Sequence, residues 1–248
     1  MSFEHVPPRS AFNSAPVYAK KFDEIIGEDY LSDEKAPSGT KIQRGNGAYT
    51  LCGKCNNNTG AWYGNAYLDW AWQGMRFSEF STVTPSIHFT FNVFPLRVLK
   101  QIVCMLFSVN HDEFHKAQPE LQRFVLDKER KYLDSPLKVY AYHSRSNRLR
   151  NTGVVAQMEL GRSGPRLYSE ASFPPWGYLF CFDSPPTDRR LIDISFFSRY
   201  RYNDWKDITL NIPVLPVETW IPGDYRSREE VARQVRTSME EENKKNEF

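Results

Sequence analysis

Residues 51–75 read LCGKCNNNTGAWYGNAYLDWAWQGM, and this stretch decides the first part of the fold. It begins with a Cys-x-x-Cys turn at 52–55, and Asn56 follows directly. From residue 61 to 75 apolar residues recur at i, i+3 and i+4 spacing, which predicts a helix. A short strand is expected just before the turn, at residues 49–51. The stretch therefore predicts a strand, a turn and an aromatic helix in close succession.

The turn itself favours metal binding. Two thiolates, from Cys52 and Cys55, would provide half of a tetrahedral zinc site. Asn56 adds an amide oxygen, which is a hard ligand suited to Mg²⁺ or another divalent cation. We therefore predict metal ligands at Cys52, Cys55 and Asn56. The other interpretation of the same residues is that both cysteines are small buried thiols.

A second chemically useful pair lies near the start of the chain, in Glu4-His5-Val6-Pro7-Pro8. Neighbouring side chains of an extended segment point to opposite faces, so Glu4 and His5 need a bend to act together. Pro7 and Pro8 force a turn directly after the pair. The carboxylate can bind a hard cation and the imidazole can take a proton from water.

The Glu-His pair, the proline after it and the Leu-Cys-x-x-Cys-Asn turn before a helix resemble the HNH, or ββα-metal, endonuclease family over about the first 75 residues. The resemblance implies that Glu4 and Asn56 hold a catalytic Mg²⁺ or Mn²⁺ and that His5 is the general base. It implies hydrolysis of phosphodiester bonds, most naturally in DNA, with zinc as a possible support at Cys52 and Cys55. A role in phage defence or mobile elements is compatible with such a protein.

The sequence departs from the family pattern in three respects. Zinc-supported members carry a further Cys-x-x-Cys upstream of the acid–histidine pair, and the sequence given has only four residues before His5. The family's middle asparagine, which holds the loop that bears the base, falls by register on Gly47. Asn46, one residue away, is the candidate here. The long separation of His5 from Asn56 implies an insertion, expected at residues 14–40.

Patterns after residue 80 predict helices followed by strands. Ser227-x-x-Glu230 has the form of a capping box and predicts a charged helix from residue 226. The expected elements are a strand at 82–94, helices at 96–109 and 119–132, and strands at 137–143, 154–160, 166–171, 178–182, 191–202 and 208–213. The predicted class is α+β, with a small ββα-metal-like N-terminal module followed by helices and an antiparallel β-rich half.

We expect three regions along the chain. Residues 1–80 form the HNH-like module, residues 81–225 form a helical and β-rich domain of unassigned role, and residues 226–248 form a charged helical tail. The alternative to a nuclease is a non-catalytic binding module with a structural Cys-x-x-Cys turn. In that case the β-rich half would recognise a partner protein or a nucleic acid.

Composition limits the protein class. With 40% apolar and 25% charged residues the chain should fold as a globule. The first residues lack an apolar secretory segment, no apolar run reaches the length of a membrane span, and only two of the four cysteines are paired in sequence. We therefore expect a cytoplasmic protein without a membrane partner. No Walker loop, GxGxxG or Gly-x-Ser-x-Gly motif occurs.

A net charge of only +2 means that a nucleic-acid surface would require local clustering of cations. Two segments cluster them. Residues 145–151 carry three arginines, and residues 199–205 carry two arginines interleaved with Tyr200, Tyr202 and Trp205. Basic and aromatic residues together suit phosphate contacts and base stacking. An ordinary solvated face with aromatic core residues between is the favoured interpretation of both segments.

Overall fold

The chain has an α+β fold, seen in a computed structural model that describes residues 2–21, 39–79, 84–134, 136–158 and 164–246, with side chains to residue 240. Strand β1 (Ser2–His5) pairs antiparallel with β4 (Gly47–Leu51). Between them β2 (Val17–Ala19) pairs with β3 (Thr40–Ile42), inside the expected insertion. Residues 22–38 of that insertion lie outside the described residues. Helix α1 (Gly53–Ser78) follows β4 directly.

Helix α1 begins earlier than the apolar pattern alone predicts, at Gly53 instead of residue 61. The reason lies at its N-cap, where the Cys52 sulfur accepts the Cys55 backbone N–H at 3.0 Å. A capped first-turn N–H offsets part of the cost of starting a helix. The polar first turns of α1 therefore join the aromatic part in one helix.

The middle of the chain surrounds one deeply buried helix. Strand β5 (Ser86–Val93) leads into α2 (Pro95–Ser108), which Pro95 begins in its first turn as expected. All of its residues except Arg97 are buried, so α2 is the centre of the core. Two short helices, α3 (Asp112–Ala117) and α4 (Pro119–Leu126), follow, and the second ends six residues before the predicted residue 132.

A five-stranded antiparallel sheet and a separate two-stranded sheet complete the β-rich half. The strands are β6 (Leu137–His143), β7 (Arg150–Gln157), β8 (Arg166–Phe173), β9 (Trp176–Phe182), β10 (Ile192–Asp193) and β11 (Lys206–Pro213). The larger sheet has the strand order β10-β6-β9-β8-β7, and β11 pairs with β5.

The long strand predicted at residues 191–202 is wrong. Only Ile192–Asp193 pairs with β6, and a 3-10 helix covers Ser195–Arg199. The Asp193 carboxylate accepts the Ser195 backbone N–H at 2.7 Å, and the Ser195 hydroxyl accepts the Val139 N–H at 2.8 Å. The bond between Asp193 and Ser195 is local and gives the backbone an alternative to the sheet ladder.

Helix α1 and the large sheet share one hydrophobic core. The rings of Trp70 and Trp176 stack with centroids 4.4 Å apart and an interplanar angle of 11°. Trp176 also donates its indole N–H to the Trp70 carbonyl at 3.1 Å. A methyl group at Gly74 would lie 2.5 Å from the Trp176 ring, so only glycine permits this approach. The core therefore continues across residue 80, where the sequence places a domain boundary.

His143 also joins the sheet to α1. It ends β6, is completely buried, and its Nε2 bonds the Gly74 carbonyl at 3.1 Å. Burial lowers the pKa of His143 to about 4. A neutral imidazole therefore holds the last turns of α1 against the sheet.

Two arginines of the 145–151 segment are buried in the interior. They therefore cannot form part of a nucleic-acid-binding surface. Arg148 is buried and lies over the Trp220 ring. Arg150 forms a buried ion pair with Glu170, whose carboxylate also accepts the Tyr142 hydroxyl and the Gly223 N–H. This network attaches the segment before the last helix to the sheet.

The predicted C-terminal helix is confirmed as α5 (Arg228–Asn246). Its capping box is reciprocal, because Ser227 N–H donates to the Glu230 carboxylate at 2.7 Å and Glu230 N–H donates to the Ser227 hydroxyl at 3.2 Å. Among the described residues, none of the helices has the length and apolar character needed to cross a membrane.

Candidate active site

Strand β1 directs Glu4 and His5 to opposite faces. Glu4 is only 6% exposed and faces the interior, whereas His5 is half-buried on the outer face. There the imidazole packs edge-on against the Phe3 ring, with centroids 4.9 Å apart. Strand β1 ends at His5, directly before the two prolines. Within β1 the carboxyl and the imidazole therefore do not share a face.

The Glu4 carboxyl is a buried acid without a hydrogen-bond partner among the described residues. Its negative charge raises the pKa of Cys104, a buried thiol of α2 whose pKa is raised mainly by burial. The carboxyl therefore lies between β1 and the helices that cover it. Burial raises the pKa of Glu4 to about 7, because no donor or cation compensates the charged form.

Asn56 lies on the same side of β1, in the first turn of α1. Its amide Nδ2 donates to the Ser2 hydroxyl at 3.2 Å and to the Phe3 carbonyl at 3.3 Å. Both donors thus point at the strand, and the amide oxygen has no hydrogen bond among the described residues. Of the two oxygen-bearing side chains that the sequence predicts as metal ligands, Glu4 thus lies on β1 and Asn56 contacts the same strand from the start of α1.

His5 has a defined tautomer. Its Nε2 lies 2.9 Å from the Arg44 carbonyl oxygen. A carbonyl oxygen can only accept, so Nε2 carries the hydrogen and Nδ1 of the neutral ring keeps its lone pair. The backbone of the segment before β4 thereby orients the imidazole with a proton-accepting nitrogen available.

Asn46 holds the loop that follows His5. Its side-chain amide donates to the Val6 carbonyl at 2.6 Å, and its own carbonyl accepts the Val6 N–H at 2.9 Å. Gly47, the position that the family register indicates, has no space for a side chain because a Cβ there would meet the Glu4 carbonyl. Asn46, one residue earlier than the register, is the asparagine that contacts the segment after His5.

Asn13 completes this arrangement and is a residue that sequence reasoning missed. It is fully buried, donates to the Pro7 and Asn46 carbonyls at 2.7 Å each, and accepts the Asn46 N–H at 2.6 Å. We call Asn13 and Asn46 the amide lock. No local pattern marks Asn13, because its partner lies 33 positions away in the sequence.

Cys52 and Cys55 are free thiols in different surroundings. Cys52 is exposed, and hydrogen bonds from the side chain and then the backbone N–H of Cys55 lower its pKa. Cys55 is half-buried, and burial raises its pKa. In the part of the chain that the structure describes, no three His, Cys, Asp or Glu side chains come together to hold a metal ion. The described residues thus do not complete a tetrahedral zinc site here.

A hexacoordinate cation such as Mg²⁺ needs fewer ligands from the protein than a structural zinc ion does. Mg²⁺ is commonly held by one or two protein oxygens together with waters and substrate phosphate oxygens. The Glu4 carboxyl and the Asn56 amide oxygen are such hard ligands, and neither has a hydrogen bond to lose. The donor set at the strand end therefore fits a hard divalent cation better than zinc.

No family model, curated protein or solved structure matches this chain.

Proposed function

We propose that this protein is a metal-dependent endonuclease of the HNH kind that hydrolyses phosphodiester bonds, with DNA as the substrate. One observation carries the proposal: Glu4, a buried carboxyl without a hydrogen-bond partner, lies on the strand that Asn56 contacts from the start of α1. An acid in such a position is costly unless a cation or another ligand compensates it.

Each residue of the site has a distinct role in the proposed reaction. Glu4 and Asn56 hold the divalent cation. His5 accepts a proton from the attacking water at Nδ1, because the Arg44 carbonyl occupies Nε2. Asn46 acts as a positioning residue, since it fixes the loop directly after the base. The bound cation would stabilise charge on the scissile phosphate and on the leaving oxygen.

The direct test is cleavage of supercoiled plasmid DNA in Mg²⁺ or Mn²⁺. We expect His5→Ala to reduce the cleavage rate by about 10²–10⁴-fold, the usual contribution of a general base, with the fold unchanged by circular dichroism. His88→Ala is the matched control, because His88 is an exposed histidine on β5, a strand that pairs with β11 and not with β1. Equal cleavage by wild type and His5→Ala would exclude His5 as the base.

The alternative is a non-catalytic binding module, and the cap formed by Cys52 is the observation that favours it. In that protein the Cys-x-x-Cys turn serves only to start α1. It would bind DNA or a protein without cutting, and the wild type would leave the plasmid intact in every divalent metal tested. Binding without cleavage would thus replace the nuclease proposal.

A further inference from the structure

A ladder of alternating rings and cations lies at the N-terminal end of α2. The Arg97 guanidinium carbon is 4.2 Å from the Phe94 ring centroid and 4.0 Å from that of Tyr202. Trp205 packs against Phe94 with centroids 4.7 Å apart, and the Lys128 ammonium lies 5.3 Å from the Tyr202 ring. We call these five residues the ring–cation ladder.

The guanidinium in the ladder is fixed in place. Arg97 Nε donates to the Tyr202 carbonyl at 2.8 Å, and Nη2 donates to the Asn203 side-chain oxygen at 2.7 Å. None of these partners is a carboxylate, so the positive charge stays uncompensated. Because the two rings already hold the planar cation in one orientation, it loses less conformational entropy on binding than an exposed arginine does.

The outer end of the ladder is open to solvent. Half of the Trp205 surface is exposed, at 48%, although the ring already has an aromatic neighbour. Four exposed cations in the ladder or within six residues of Trp205 in the sequence make no ion pair with a described carboxylate; they are Lys128, Arg199, Arg201 and Lys206. Two nearby acids have local partners, since Asp204 accepts the Arg201 backbone N–H and Asp207 accepts the Asn92 amide.

The ladder is joined to the helix that carries the candidate active site. The Tyr202 hydroxyl donates to the Trp62 carbonyl of α1 at 3.1 Å. Trp62 follows Asn56 by six residues, which is about 9 Å along the helix axis. The ladder therefore contacts the same helix that carries Asn56 in its first turn.

We propose that the ring–cation ladder binds a single-stranded stretch of DNA beside the cleavage site. An unpaired base stacks on the exposed part of Trp205, and the free cations at 201 and 206 neutralise phosphates on either side. An isolated cation patch would suit any polyanion, whereas an exposed indole backed by rings and a fixed guanidinium suits a planar base. The ligand's identity rests on the proposed nuclease function.

Binding of a fluorescein-labelled dT20 oligonucleotide, measured by anisotropy in EDTA, tests this inference. We expect Trp205→Ala to weaken binding by about 5- to 150-fold, the range for loss of one stacked base, and Trp205→Phe to retain most of the affinity. Trp72→Ala is the matched control, because Trp72 is 53% exposed and packs edge-on against Phe12 at 4.7 Å. That variant should bind as the wild type does.

The salt dependence provides a second readout. Each phosphate contact contributes about 0.7 to the slope of log Kd against log salt for single strands, so Arg201→Gln and Lys206→Gln should each lower the slope by about that amount. The inference is overturned if Trp205→Ala binds dT20 like wild type, or if wild type does not bind it at low salt. Because EDTA prevents cleavage, either result leaves the His5 test of nuclease activity unaffected.

Discussion

Burial shifts the pKa values of the acid Glu4 and the base His143 in opposite directions. It raises the pKa of Glu4 to about 7 and lowers that of His143 to about 4, because in both cases the charged form loses water. The folded state thus resists deprotonation of Glu4 and protonation of His143. Folding favours the uncharged form of each group. Each titration therefore changes the unfolding free energy, and the two pH ranges overlap.

The signs of the two contributions differ. For His143 the folded pKa lies below the unfolded value of 6.5, so stability is complete above pH 6.5 and is lost as the pH falls towards 4. For Glu4 the folded pKa lies above the unfolded value of 4.5, so stability is complete below pH 4.5 and is lost as the pH rises through 7. Between pH 4.5 and 6.5 the two effects oppose each other.

We therefore predict that replacing one of the two residues leaves only the pH dependence of the unfolding free energy that the other residue causes. Relative to wild type, Glu4→Gln should gain about 3 kcal/mol of unfolding free energy as the pH rises from 4.5 to 7, and His143→Gln should gain a similar amount as it falls from 6.5 to 4. Urea denaturation across this range, without added metal, measures both. Parallel curves for wild type and either variant would show that the residue concerned titrates normally.

At the scale of the element, the start of α1 depends on one sulfur. Cys52 Sγ accepts the Cys55 N–H, so Cys52→Ala should lower the unfolding free energy through the lost cap. Cys52→Ser should keep that bond and unfold as the wild type does. Chemical denaturation of the three proteins distinguishes the cap from a metal role. Serine as harmful as alanine, together with protein-bound zinc, would identify Cys52 as a zinc ligand instead.

Elements with a regular pattern were predictable from sequence, and those decided by side-chain bonds were not. Alternation predicted Leu137–His143 with the bounds that β6 has, and Pro95 marked the start of α2. The strand expected at 191–202 failed because the Asp193 carboxylate bonds the Ser195 N–H and a 3-10 helix follows. Phe197 is a buried core residue of that 3-10 helix.

The candidate site divides in the same way. Glu4, His5 and Asn56 could be proposed from residue type and order, and Asn46 from nearness to the family register. The surroundings that give them their chemistry could not, because Arg44, Asn13 and Cys104 come from distant positions along the chain. Likewise, nothing local distinguishes the buried Arg150 from an exposed arginine, since its partner Glu170 lies on another strand.

At the scale of the whole molecule, the helix that starts at the candidate site ends inside the core of the large sheet. Gly74→Ala would bring a methyl group to 2.5 Å from the Trp176 ring, so we expect a loss of about 1–3 kcal/mol through overpacking. Gly64→Ala, in the same helix, has nothing within 4 Å and should instead stabilise by about 0.5–1 kcal/mol. Thermal unfolding compares the two variants.

The shared core also predicts that the site and the sheet unfold together. Circular dichroism and tryptophan fluorescence should give one coincident transition in wild type and in Gly74→Ala. Two separate transitions would mean that the first 80 residues fold independently of the sheet. In that case the stacked Trp70 and Trp176 would couple two domains only weakly.

The amide lock is built from neutral groups. Asn13 and Asn46 neither titrate nor attract counterions, so the position of His5 should be the same at acidic and alkaline pH and in dilute and concentrated buffer. In a pH–rate profile of the proposed nuclease, and in its response to salt, the amide lock itself would therefore contribute no titration and no salt dependence.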